Sequence, residues 1–180
     1  MPRTFSKRLV IDASIAQASG GEEATFPTSK RCRDFLKEVL RICHRVVWTE
    51  ETISEWNRHQ SNFARNWRVT MKQKGKDVVL GDPLNQPLRQ RLDDIAESEN
   101  QRQAMQKDCC LIEAALKADQ TVVSLDENAR RLFASASASV DELKNVVWVN
   151  PDKQEENCPT WLSEGAKSES ARRLGNYPNE

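Results

Sequence analysis

The chain predicts an α/β fold, a parallel sheet with helices on both faces in three α/β/α layers. Three observations carry this expectation. Short apolar runs with few polar interruptions recur along the chain, as expected of strands buried on both faces. Segments with helical spacing separate them. The run Leu9-Val10-Ile11 ends in Asp12 and the run Val122-Val123-Ser124-Leu125 ends in Asp126, which places both acids at the carboxyl end of a sheet, where α/β ligand crevices lie.

Arg8 to Asp12 reads as the first strand, and Ser14 to Ala18 begins a helix broken at Gly20-Gly21. Ser29 to Cys43 is an amphipathic helix, with Phe35, Leu36, Val39, Leu40 and Cys43 at helical spacing and Thr28 as its expected N-cap. Arg45 to Trp48 is a second strand. Thr49 then caps a helix whose first turn carries Glu50 and Glu51 at the positive end of its dipole. From Ser61 to Asp82 the pattern weakens, with turns at Gly75 and at Gly81-Asp82-Pro83. Leu88 to Glu97 is helical. Arg102 to Ala118 is the strongest helix, with Met105, Cys109, Ile112, Ala115 and Leu116 on one stripe. Thr121 to Leu125 is a strand, Glu127 to Phe133 a short helix, and Val146 to Val149 the last strand. Residues 1–150 therefore form the expected domain, and the polar stretch 151–180 is expected to be a loosely attached tail.

Composition narrows the function. The 180 residues carry 27 basic and 27 acidic side chains, so net charge points to no class of partner. Five cysteines, odd in number and without CxxC spacing, read as reduced thiols, and two histidines are too few to expect zinc. Met1 to Arg8 is basic, but no apolar stretch follows as in a secretory signal. No run reaches the roughly 20 apolar residues of a membrane helix, so a soluble cytoplasmic protein is expected. Neither a G-x-G-x-x-G nor a G-x-x-x-x-G-K-[ST] is present. Ser14 stands where an aspartate phosphatase of the haloacid type needs its second Asp. No G-x-S-x-G supports acyl chemistry.

What remains is acidic. Asp12, Glu55, Asp108 and Asp126 each lie in otherwise apolar sequence. Asp108 shares a helix face with Leu111, Ile112 and Ala115, and the opposite, polar face is where Lys107 and Glu113 are expected. Taken singly, Asp12 and Asp126 read equally as caps, Glu55 as a solvated helix residue and Asp108 as a structural acceptor. Converging, they need a cation, and an all-oxygen donor set suits Mg²⁺ or Mn²⁺.

The order of these acids resembles the PIN-domain family. The stretch Arg8-Leu9-Val10-Ile11-Asp12-Ala13-Ser14 looks like the family's opening strand, and Thr49 to His59 around Glu55-Trp56 like its second acidic motif. Lys107-Asp108 with Leu111-Ile112-Glu113-Ala114-Ala115-Leu116 is similar to the third, and Val122 to Phe133 to the fourth. The resemblance covers Arg8 to Val149. It implies a PIN-like fold and a Mg²⁺- or Mn²⁺-dependent endoribonuclease of the VapC-toxin kind acting on RNA. Asp12 and Asp126 would ligate the ion, and Asp108 would complete its inner or outer coordination. Glu55 would hold a water of that ion or orient the nucleophile, with Ser14 and Ser124 as supporting hydrogen-bond partners. An antitoxin-like protein and a homodimer stay open as partners. The long stretch between the second and third motifs and the polar tail depart from a compact toxin.

Between Asn57 and Lys76 no residue is acidic, while Arg58, Arg65, Arg68 and Lys72 are basic and Phe63 and Trp67 are interleaved. Two expectations stand for this strip. Either it leads RNA to the site with its aromatics stacking on bases, or it is a solvated helix face whose aromatics pack inward. Function likewise divides between a metal-dependent endoribonuclease and a non-catalytic PIN-like module that binds RNA or a protein.

Overall fold

A computed structural model describes residues 5–178, so the outermost residues of the predicted domain and tail, 1–4 and 179–180, lie outside it. Five strands form one all-parallel sheet: β1 (Arg8–Ile11), β2 (Arg45–Trp48), β3 (Asp77–Val79), β4 (Thr121–Val123) and β5 (Val147–Val149), in the order β3-β2-β1-β4-β5. Helices cover both faces, which gives the predicted three-layer α/β/α architecture.

Alternation along each strand sorts the core into two halves. Leu9 and Ile11 of β1, with Val46, Trp48, Val123 and Val149, face one side. There they meet α1 (Ala13–Ala18), α2 (Pro27–Arg41), α4 (Asn62–Gln73) and α8 (Cys158–Ser163). Val10, Val47, Val122 and Trp148 face the other side, against α5 (Gln86–Ile95), α6 (Glu99–Leu116) and α7 (Glu127–Ala136). The remaining helix, α3 (Glu50–His59), follows β2, and its Trp56 enters the first core. There Trp56 meets Trp48 edge-on at 4.9 Å and stacks on Trp67 at 5.7 Å between ring centroids.

The strand order places the site. From β1 the chain steps outward through β2 to β3, then crosses back to lay β4 on the other flank of β1. The carboxyl ends of β1 and β4 therefore flank a topological switch point, where such sheets open a crevice. Asp12 follows β1 and Asp126 opens α7 just after β4. The Asp12 amide donates to the Val123 carbonyl at 2.9 Å, closing the base of that crevice.

Several expectations are corrected. The stretch after Ser61 is structured: Ser61 caps α4, and β3 adds a fifth strand at the sheet edge. Pro27 occupies the first position of α2 and Phe26 its cap, so Thr28 is not the cap; its hydroxyl donates to Asp152 at 3.0 Å. Strand β4 stops at Val123, leaving Ser124 and Leu125 in the connection to α7. Residues 151–178 are not a loose tail. Helix α8 inserts Cys158, Trp161 and Leu162 into the first core, and Leu174 joins the second. The Leu174 amide donates to the Val146 carbonyl at 2.9 Å and Arg173 bridges Val147, so this segment lies along the β5 edge. Few apolar residues suffice because they complete a core instead of building one. Burial alone would raise the Glu127 carboxyl, but hydrogen bonds from Asn150, Tyr177 and Lys153 outweigh it and pull the group down to about 2.

No helix among the described residues is long and apolar enough to cross a membrane. The five cysteines are all free.

Ending the chain after Asn150 removes Trp161 and Leu162, at 2% and 0% exposure, together with Cys158 and Leu174. Emptying a buried Trp or Leu site costs about 2–5 kcal/mol each, against a total of roughly 5–15 kcal/mol for a domain. The truncated chain is expected to lose cooperative unfolding in urea, and Trp161→Ala alone to lower the midpoint markedly. A truncated chain that unfolds cooperatively at the full-length midpoint would show the segment to be dispensable.

Candidate active site

Four elements deliver the four acids to one cleft of about 270 Å³. Asp12 caps α1 directly after β1, Glu55 comes from the middle of α3, Asp108 from α6, and Asp126 caps α7. Ala13, Ser14, Gln17, Thr52, Trp56, His59, Lys107, Cys110 and Leu111 complete the lining. The capping box of Thr49 and Thr52 starts α3, and the Trp56 indole donates to the Ile11 carbonyl at 2.8 Å. That bond ties the residue beside Glu55 to the residue before Asp12, and so fixes how α3 faces the end of β1.

The switch point is stitched by two serines. Ser14 and Ser124 both donate to Oδ2 of Asp12, at 2.5 and 2.8 Å. Ser14 accepts from the Leu125 amide at 3.2 Å, and Ser124 accepts from the Asp126 amide at 3.0 Å. Each hydroxyl thus joins the end of β1 to the end of β4. The Asp126 side chain accepts from the Ala129 amide through Oδ1 at 2.8 Å, an ordinary helix cap. Asp12 and Asp126 therefore each spend one oxygen on the fold, and their second oxygens make no hydrogen bond among the described residues.

Asp108 carries the electrostatic signature. Burial pushes its carboxyl up to about 6; Lys107 opposes the rise, while Asp12, Asp126 and Glu55 add to it. Glu55 is differently placed. It pairs with Arg58 at 2.5 Å and faces His59 at 3.6 Å, on the exposed side of α3, where such pairs are weak. Neither Asp12, Asp108 nor Asp126 has an ion-pair partner among the described residues.

The donor chemistry suits a hard divalent ion, yet no group of three Asp, Glu, His or Cys side chains among the described residues is arranged to hold one. These two facts are compatible for Mg²⁺, which keeps several waters and binds through one or two carboxylates. Asp12 and Asp126, each with a free oxygen, and Asp108, with no side-chain hydrogen bond among the described residues, are the residues that could hold such an ion.

Of the basic strip, Arg58 lines a neighbouring cleft that shares Glu55 with this one, whereas Arg65, Arg68 and Lys72 line neither. Arg68 lies over the Trp48 ring and donates to Asn57 at 2.7 Å. Phe63 and Trp67 are buried in the core, so stacking on bases is excluded for both. The polar face expected opposite Asp108 is corrected for Glu113, while Lys107 is exposed as expected. Lys107 lines the cleft, and Glu113 is buried, where it takes both the Arg89 guanidinium at 2.7 and 2.8 Å and the Asn85 amide at 2.9 Å. His59 was missed as a lining residue, although its position four residues after Glu55 puts both on one helix face.

Compared with family models, curated proteins and solved structures, the chain matches none.

With its carboxyl raised from 3.8 to about 6, Asp108 makes the folded chain bind more protons than the unfolded chain between those values. Its contribution is most favourable at low pH and is lost as pH rises through about 6. Asp108→Asn is thus expected to be more stable than wild type near neutrality by ~1–2 kcal/mol, a figure discounted for solvent in the cleft. The gap should close in acid. Urea midpoints of both proteins across this range check it, and parallel curves would mean that neither burial nor the acidic neighbours raises the Asp108 carboxyl.

Proposed function

We propose that the chain is a Mg²⁺- or Mn²⁺-dependent endoribonuclease of PIN-like type that hydrolyses RNA phosphodiesters at the four-acid cleft. The observation that supports this reading best is the convergence of Asp12, Glu55, Asp108 and Asp126, from four separate elements, on the switch point of a parallel sheet. Three of the four form no ion pair with a protein cation among the described residues, which is the arrangement expected where a divalent ion balances them. When bound, that ion supplies activation of water and neutralisation of the phosphate.

The chain's own residues do the rest. Asp12 and Asp126 would hold the ion, and Ser14 and Ser124 keep the Asp12 carboxylate from rotating away. Asp108, raised to about 6, is readily ionised once a cation is present. Glu55 gives up its weak surface pair with Arg58 to accept the proton of the attacking water. The water oxygen bonds to phosphorus, the P–O bond to the leaving oxygen breaks, and that oxygen takes a proton from solvent in the open cleft, while Glu55 returns its own to solvent. Five free cysteines fit a reducing, cytoplasmic setting. An antitoxin-like protein is the partner that the toxin branch of the family would imply.

A second reading, a PIN-like module that binds RNA or a protein without cleaving it, is favoured by the absence of a closed three-residue ligand set among the described residues. Cleavage separates the two. Wild-type protein is expected to cut a generic single-stranded RNA with Mg²⁺ or Mn²⁺ and to stop when the metal is chelated. Asp12→Asn keeps an acceptor oxygen for both serines, so it should fold with unchanged or slightly raised stability. Its cleavage should fall by at least ~100-fold, since such an ion is worth several kcal/mol to the transition state. Undiminished cleavage by Asp12→Asn would sink the assignment.

A further inference from the structure

We infer that Lys107 is the residue that binds the scissile phosphate in the four-acid cleft, an inference that rests on the ribonuclease reading. Lys107 and His59 are the basic side chains that line the cleft, and His59 faces Glu55. The Lys107 side chain is exposed and makes no hydrogen bond or ion pair among the described residues, although four carboxylates share its cleft.

Helix geometry accounts for that freedom. Successive residues on a helix point roughly 100° apart, so Lys107 cannot fold onto Asp108 and neutralise it as a neighbour one turn away would. Its charge nonetheless reaches Asp108, where it opposes the rise caused by burial. The ammonium therefore lines the same cleft as the carboxylates with its donors unused among the described residues.

The chemistry of the cleft needs such a group. A wall of carboxylates repels an incoming phosphodiester, and an ion held by those carboxylates offers only part of the compensation. A lysine at the cleft wall meets a non-bridging phosphate oxygen as a point charge with freely rotating donors, which suits a flexible single strand. Arg58 is less suited, because it lines the adjacent cleft and not this one. The corresponding ligand is therefore the phosphate of single-stranded RNA, recognised without regard to base.

The test compares wild type, Lys107→Gln and Lys107→Arg on a short single-stranded RNA with Mn²⁺. Lys107→Gln should fold normally and bind Mn²⁺ at least as tightly as wild type by calorimetry, but lose ~10–100-fold in kcat/KM, as expected for one charge-assisted hydrogen bond. Lys107→Arg should retain most activity. In an Asp12→Asn background, fluorescence anisotropy should show Lys107→Gln binding the same RNA more weakly, with a shallower dependence on salt. Wild-type cleavage with an equally active Lys107→Gln overturns this inference alone. Lost Mn²⁺ affinity in Lys107→Gln also overturns it, by placing the lysine's role at the metal. A wild type that cleaves no RNA overturns the ribonuclease reading and this inference together.

Discussion

The constraint on which the site depends is the gap between the carboxyl ends of β1 and β4. Strand order reverses there, so no helix passes over the two ends, and polar groups at the end of both strands need partners. The chain meets that need with Asp12, Ser14 and Ser124, whose hydroxyls bridge from the Asp12 carboxylate to amides just beyond β4. A carboxylate held this firmly cannot move away from other acids that approach it. Asp108 has no side-chain hydrogen bond of its own among the described residues, and burial first, then the charges of Asp12, Asp126 and Glu55, push its carboxyl up to about 6.

What brings the other acids to this point is ordinary packing. Trp56 is fully buried between Trp48 and Trp67, and its indole bond to the Ile11 carbonyl sets α3 against β1. Glu55 has no freedom to lie elsewhere once Trp56 is seated. On the opposite face, the bond of half-buried Arg89 to buried Glu113 joins α5 to α6, the helix that carries Asp108. The C-terminal segment contributes from a distance. Its Lys153 and Tyr177, with Asn150, secure Glu127 in the first turn of α7, one residue after Asp126. Removing that segment would therefore loosen one wall of the cleft as well as the core.

Much of this was legible in the sequence, and the failures have physical causes. Four strands were visible because a doubly buried strand is a run of Val, Ile and Leu; β3 was not, because Asp77–Val79 is a three-residue edge strand with Val79 exposed. Helix α4 escaped notice because Val69 points to solvent and blurs the spacing of Phe63, Ala64, Trp67 and Met71. The same error kept base stacking open for Phe63 and Trp67. Asp12 and Asp126 were readable from their positions after apolar runs, Glu55 and Asp108 from helices beside core residues; the four acids and Ser14 line one cleft, and Ser124 is buried behind Asp12. Glu113 was misread as solvated because its partner Arg89 lies 24 residues away, a distance at which sequence gives no pairing signal. The 151–178 segment was judged by whether it could form a core, when the relevant question was whether it could finish one.

The central claim is that the converging carboxylates form a divalent-ion site. Titrating metal-free protein with Mn²⁺ by isothermal calorimetry near neutral pH tests it without reference to any substrate. Saturable binding by wild type, lost in both Asp12→Asn and Asp126→Asn, is the predicted result. No saturable binding by wild type, or binding that survives in both variants, would contradict it.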